Sequence, residues 1–176
     1  MTLVSIQQTL HGYDGGHRLL AASTSLPAEG THLMLVMSDL AGARQGRGFD
    51  EYLTGYPLKG SDYYALGRTW LAPEMPRPGC VWTHTLLIPS RSLADLDGPR
   101  LSRAHRRPKG ALDTTPYQQP LALSGKPRLQ ASVDPREARA FIEALYEFPR
   151  YSVWISGTDS ASYEGLVLAL WTQQWP

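Results

Sequence analysis

The sequence predicts an α+β fold: a mostly antiparallel, Trp- and Tyr-rich sheet with helices packed on it, two of them near the C-terminus. Three observations carry this. The runs 63–72 (YYALGRTWLA) and 80–88 (CVWTHTLLI) are dense in aromatic and β-branched residues and flank a Pro- and Gly-rich connection. Two stretches in the last third place apolar residues at helical spacing. The 16 Gly and 14 Pro among 176 residues favour many turns over long helices. The length suits one domain, residues 1–176, and a 42% hydrophobic share is enough to bury a core.

Residues 2–10 (TLVSIQQTL) alternate as a strand, with Val4, Ile6 and Leu10 on one side and Ser5, Gln7 and Thr9 on the other. His11 falls on the polar side. Asp14-Gly15-Gly16 supplies a tight turn, and residues 17–23 are expected to return antiparallel, giving a hairpin with His11 and His17 at its shoulders. Between Pro27 and Leu40, the positions Leu33, Val36, Met37 and Leu40 fit a helix, although Leu33–Met37 also fits a buried strand. Residues 41–62 hold six Gly and Pro and read as a long surface loop pinned by Phe49, Tyr52 and Tyr56.

In the central strand pair, Cys80, Trp82, His84, Leu86 and Ile88 share one face, and Tyr64, Leu66, Arg68 and Trp70 share another. Arg68 and His84 therefore sit on apolar faces and require partners. Residues 97–130 read as a long excursion with a short strand near 120–123. Asp134, Pro135 and Glu137 open a helix whose stripe is Ala138, Phe141, Ile142, Leu145 and Phe148. Tyr151–Ser156 reads as a strand. A last helix from about Ser160 is expected to bury Tyr163, Leu166, Val167, Leu170 and Trp171.

The net charge of +1, from 17 Lys and Arg against 16 Asp and Glu, gives no global attraction to nucleic acid or anionic membrane. Five cations, Arg100, Arg103, Arg106, Arg107 and Lys109, nevertheless fall in one stretch without an acid. They are expected to form a solvated loop that docks an acidic partner. Contact with phosphates, helped by stacking on Tyr117, is a further alternative that lacks regular aromatic interleaving. The single Cys80 closes no intrachain disulfide and builds no Cys-rich zinc site, so a reducing cytoplasm is expected. There is no signal-like leader and no aliphatic run long enough to span a bilayer, so no membrane partner is expected. Trp171 and Trp175, close to the last residue, are expected to pack against a partner or another domain, which makes the chain one module of a longer protein.

His11, Asp14 and His17 surround a Gly-rich turn, where two imidazoles and a carboxylate can perform acid and base chemistry or simply hold the turn. Their spacing matches no zinc signature, and no metal or cofactor is expected. His84 is a core histidine or, alternatively, a base facing a cleft. Arg68 needs a carboxylate, carbonyl or phosphate, so an internal ion pair and a ligand contact are both open. The nucleophile motifs Gly-x-Ser-x-Gly, Gly-x-x-x-x-Gly-Lys and His-Glu-x-x-His are all missing.

Several motifs form a set: His11-Gly12-Tyr13 with Gly16-His17 and Leu19-Leu20, Ala22-Ser23, Ser38-Asp39-Leu40, and Gly55-Tyr56-Pro57-Leu58. Arg68-Thr69-Trp70 and the run Arg77-Pro78-Gly79-Cys80-Val81-Trp82-Thr83-His84 complete it. The set resembles the N-terminal domain of the bacterial GTPase-associated protein family, most densely over residues 6–90. The resemblance implies the first module of a multidomain protein tied to GTPase-centred conflict systems, with a GTPase or another protein of the system as partner. It brings no catalytic residues with it. The matching positions Tyr13, Arg68, Trp70 and Arg77 are the candidate ligand contacts.

The resulting reading is a non-enzymatic interaction or scaffold module of a GTPase-linked defence or signalling system. Its rival is a small-molecule or nucleotide site, binding or hydrolytic, built from His11, Asp14, His17, Arg68 and His84. The rival requires those five side chains to share one cavity.

Overall fold

Period-two patterning at the start of the chain produces one long strand, β1 (Leu3–Tyr13), which buries Val4, Ile6 and Leu10. The structure, a computed structural model, describes residues 3–40, 51–125, 133–156 and 161–173. Asp14-Gly15-Gly16 reverses the chain with Gly15 at φ +67°, and β2 (His17–Ala22) returns antiparallel. A register shift between Leu10 and His11 marks a bulge in this pairing. The pairing of β1 is divided along its length. Its first half takes β6 (Leu121–Ser124), its second half takes β2, and its other edge takes β5 (Val81–Pro89).

β4 (Tyr63–Leu71) pairs with β5, and β3 (Glu51–Leu58) closes the far edge, so the order is β2-β1-β5-β4-β3 with every pairing antiparallel. β5 is the centre, and Val81–Ile88 are buried on both sides. One close approach fixes a residue type. A Cβ on Gly12 would lie 2.2 Å from the Trp82 ring, so only glycine lets that fully buried indole cross β1.

Helix α1 (Ala28–Met37) covers one face, where Met34 packs with Leu58, Ala65 and Leu87. The opposite face is covered by a 3-10 segment (Ser90–Asp95), α2 (Gly98–Ala104) and α4 (Ala161–Gln173). Its core is Val4, Ile6, Leu66, Leu86, Ile88 and Leu101. α3 (Pro135–Glu147) is capped as its sequence predicts, with the Asp134 carboxylate accepting from the Arg136 N–H.

Several expectations are corrected. Residues 51–58 are not loop but the edge strand β3, where Pro57 is tolerated because an edge carries ladder bonds on one side only; Phe49 lies outside the described residues. Tyr151–Ser156 forms no strand: it takes no place in the sheet, and Ile155 lines a groove beside the edge strand β3 rather than pairing with it. The 97–130 excursion contains α2, started by Asp97 accepting from the Arg100 N–H, and a 3-10 turn at Thr115–Tyr117. In α4 the buried positions are Leu166 and Leu168, while Val167 faces outwards. The apolar stripe of α3 has no buried residue.

Candidate functional site

The two faces of the sheet divide the sequence-predicted residues. Arg68 and His84 are cross-strand neighbours on the α2 and α4 side, whereas His11 is registered with Thr83 on the α1 side. The five residues His11, Asp14, His17, Arg68 and His84 therefore do not share one cavity. Asp14 stays in the hairpin turn, exposed, 3.6 Å from Arg18.

His84 is saturated. Its Nδ1 accepts from the Arg106 N–H at 3.0 Å, so Nε2 carries the proton and donates to Gln8 Oε1 at 2.8 Å. Gln8 in turn donates through Nε2 to the Pro116 and Gln119 carbonyls, which ties the 105–119 segment to β1. His105 and Tyr117 pack edge-on against the His84 ring at 5.5 and 4.9 Å. Burial, with the nearby His105 and Arg106 charges, pushes the His84 pKa well below its usual value, so the imidazole is neutral.

Arg68 joins three elements. It donates to Glu51 at 2.5 Å, to Ser102 Oγ at 2.6 Å and to Glu164, and thereby bolts α2 and α4 onto the sheet. Trp70 pairs across from Trp82, Tyr13 is half-buried at the hairpin, and Arg77 is exposed in the β4–β5 connection, so these ligand candidates do not converge. The basic stretch begins in α2 and continues as an exposed segment. Arg100 donates to the Ser124 carbonyl, Arg106 pairs with Asp113 and Arg107 with Glu74, while Arg103, Arg106, Arg107 and Lys109 are all exposed. The partnering carboxylates lie outside the basic stretch itself, so its composition hid them. Trp171 packs on Tyr64 at 5.5 Å at the margin of the core, and Trp175 lies outside the described residues.

On the α1 side the separated motifs do meet. Two consecutive cross-strand rows are polar or small: Thr9, Thr85, Gly67 and Thr54, then His11, Thr83, Thr69 and Tyr52. Thr83 Oγ1 donates to the Ser38 carbonyl at 2.6 Å, which leaves Thr69 Oγ1 as the donor in its 2.9 Å contact with Thr83. Ser38 Oγ lies 3.1 Å from the Leu35 carbonyl and 2.8 Å from His17 Nε2, so its single proton is donated to one of the two.

His11 stacks on His17 with ring centroids 6.1 Å apart and planes 19° from parallel. Burial, then the His17 charge, drives the His11 pKa down to about 3. The pKa of His17 is also lowered by burial, against an opposing pull from Asp39. Ser38, Thr69 and Thr83 were missed as site residues because isolated hydroxyls at a helix end or in strands look like surface filler. Their presence in the same motifs as His17, Arg68 and His84 was the available signal.

Among the described residues no group of three or more His, Cys, Asp or Glu is arranged to hold a metal, and no helix is long and apolar enough to cross a membrane. Residues 5–101, more than half of the chain, match the family described as GTPase-associated protein 1, N-terminal domain type 1. The chain belongs to this family. The GTPase-associated match covers β1 to β5 and the start of α2, and so takes in the whole His11, His17, Ser38, Thr69 and Thr83 cluster together with Arg68 and His84. α3 and α4 lie beyond it. Neither the curated proteins nor the solved structures contain a match to the chain.

Proposed function

We propose that this GTPase-associated domain is a non-enzymatic interaction module of a bacterial GTPase-linked defence or signalling system, with the system's GTPase as its partner. The observation that carries the reading is an aromatic surface on α3 and the segment after it. Tyr146, Tyr151 and Trp154 are 68%, 76% and 91% exposed, and Ile142 and Phe148 join them. Apolar side chains gathered in this way mark association sites, and Trp and Tyr are the residues that dominate binding energy. A groove of about 550 Å³ between α4 and the β3–β4 edge adjoins this surface through Ile155 and Val167. The pairing of both His84 ring nitrogens, and the engagement of Arg68 by two carboxylates and a hydroxyl, favour binding over catalysis. The exposed cations Arg103, Arg106, Arg107 and Lys109 offer a partner further contacts.

Titration of the full chain with the neighbouring GTPase tests the reading. Binding is expected, and Trp154→Ala and Tyr151→Ala are each expected to weaken it by about 10-fold or more. Absence of binding, or affinity unchanged by both substitutions, overturns the reading.

A further inference from the structure

The groove between α4 and the β3–β4 edge sets a single charged side chain among aromatic and aliphatic ones. Tyr64, Tyr163 and Trp171 line it together with Leu53 and Val167, and Glu164 is the charged residue. The Tyr64 and Trp171 rings lie 5.5 Å apart and are tilted by 44°. Gly55 leaves room for this arrangement, since a Cβ there would stand 2.6 Å from the Tyr64 hydroxyl. Both hydrogen bonds to the Glu164 carboxylate, from Arg68 and from Ser102 Oγ, go to Oε1. Oε2 accepts none among the described residues and is not one of the buried polar atoms, so a molecule in solvent can reach it. The Glu164 side chain as a whole is 23% exposed.

We propose that this groove binds a small organic ammonium carried on an aromatic body. Its ammonium donates to Glu164 Oε2, and its ring packs against Tyr64, Trp171 and Val167. Three features define this class. An anionic head would meet the carboxylate with no cationic side chain among the described lining residues to balance it. A wholly apolar occupant would strip water from Oε2 and return no bond. A positive head satisfies Oε2 and is attracted to the faces of Tyr and Trp rings. Arg68 does not line the groove, is only 11% exposed and divides its charge between Glu164 and Glu51. Its hold on Oε1, shared with Ser102, fixes the carboxylate in advance. The volume of about 550 Å³ lies within the range of about 300–1,000 Å³ common to small-molecule sites. The site belongs to this chain alone and does not rest on a GTPase partner.

Titration of the full chain near neutral pH with 2-phenylethylammonium, 2-phenylethanol and 3-phenylpropanoate keeps the body constant and changes the head. The ¹H–¹⁵N indole resonance of Trp171 reports occupancy. The ammonium is expected to bind saturably, with a Kd lower by about 10-fold or more than those of the alcohol and the carboxylate. Glu164→Gln keeps an acceptor for Arg68 and Ser102 and removes the charge, and is expected to bring the ammonium and the alcohol within about 2-fold of each other. Val167→Lys alters an exposed position three residues on from Glu164 and sets a tethered ammonium beside the carboxylate. It is expected to weaken binding of the free ammonium by about 10-fold while thermal melting shows the fold intact. No saturable shift with the ammonium, equal affinities for the three heads, or an ammonium preference that survives either substitution overturns the proposal.

Discussion

His84 and His11 are two buried histidines in adjacent register rows of neighbouring strands, on opposite faces, and the sheet treats them in opposite ways. On the α2 and α4 side, both nitrogens of His84 are used and Arg68 reaches two carboxylates and a hydroxyl. On the α1 side, His11 Nδ1 and Thr9 Oγ1 are buried without a hydrogen-bond partner. Both histidines are neutral for the same reason, burial. The difference lies in the partners: Arg68 and His84 hold distant segments together, whereas Thr9 and His11 each keep a polar atom unpaired. Perturbations of the two faces should therefore differ in size and, at the limit, in sign.

The largest effect is expected at Arg68. Arg68→Met leaves Glu164 and Glu51 without their guanidinium in a site where the arginine side chain is only 11% exposed. A cost of about 3–5 kcal/mol in urea unfolding is expected. Neutralising the acids as well, in an Arg68→Met, Glu51→Gln, Glu164→Gln variant, should recover much of it. If Arg68→Met costs less than about 1 kcal/mol, Arg68 does not bolt α2 and α4 to the sheet.

Acid comes next, and acts on both faces. The folded-state pKa of His11 is about 3 and that of His84 also lies well below the ordinary value near 6.5. Between those limits the unfolded chain binds more protons than the folded one. Stability is therefore full above about pH 6.5 and falls as pH drops towards 3, by on the order of 1.4 kcal/mol per pH unit for each such histidine. Unfolding midpoints measured from pH 7 to pH 4 should show this slope, and His11→Gln should remove the share of His11. A flat profile over that range would falsify the burial of neutral imidazoles on either face.

Gly12→Ala follows, with an expected cost of about 1–3 kcal/mol, because its Cβ would fall inside the Trp82 ring contact. Ala at Gly16, where nothing lies within 4 Å of the added Cβ, is the control, and thermal melts of the pair should separate steric overlap from loss of glycine as such.

What the sequence revealed of this architecture follows the range of each interaction. Alternation and turn chemistry are local, so β1, β2, β4, β5, α1 and the Asp134 cap were readable from neighbouring residues. β3 was not, because Gly55 and Pro57 break its local pattern and its pairing with β4 supplies the stability. The YSVWIS run has strand propensity but takes no place in the sheet. The need for partners at Arg68 and His84 was readable from an apolar face. Which partners they find was not, since Glu164 lies 96 residues from Arg68 and Gln8 lies 76 from His84. The α1-side cluster was half readable: His11 and His17 stand out by residue type, whereas Ser38, Thr69 and Thr83 acquire meaning only when four strands and the end of α1 are brought together.

The smallest effect gives the sharpest comparison, because it uses one substitution twice on one face. Thr69 and Thr9 are both fully buried threonines on the α1 side. Thr69 donates to Thr83, which donates to Ser38, so Thr69→Val removes a made bond and should cost about 1 kcal/mol. Thr9 has an unmade bond, so Thr9→Val should stabilise the chain, by a comparable or smaller amount. The side-chain volumes, the sheet face and the burial are matched, and only the partner differs. Urea midpoints of the two single variants and the double variant decide the matter: opposite signs that add in the double show two independent hydroxyls, one structural and one unpaired. Equal losses in both would mean that Thr9 already has a permanent partner, and the distinction between the two faces would shrink to Arg68 and His84 alone.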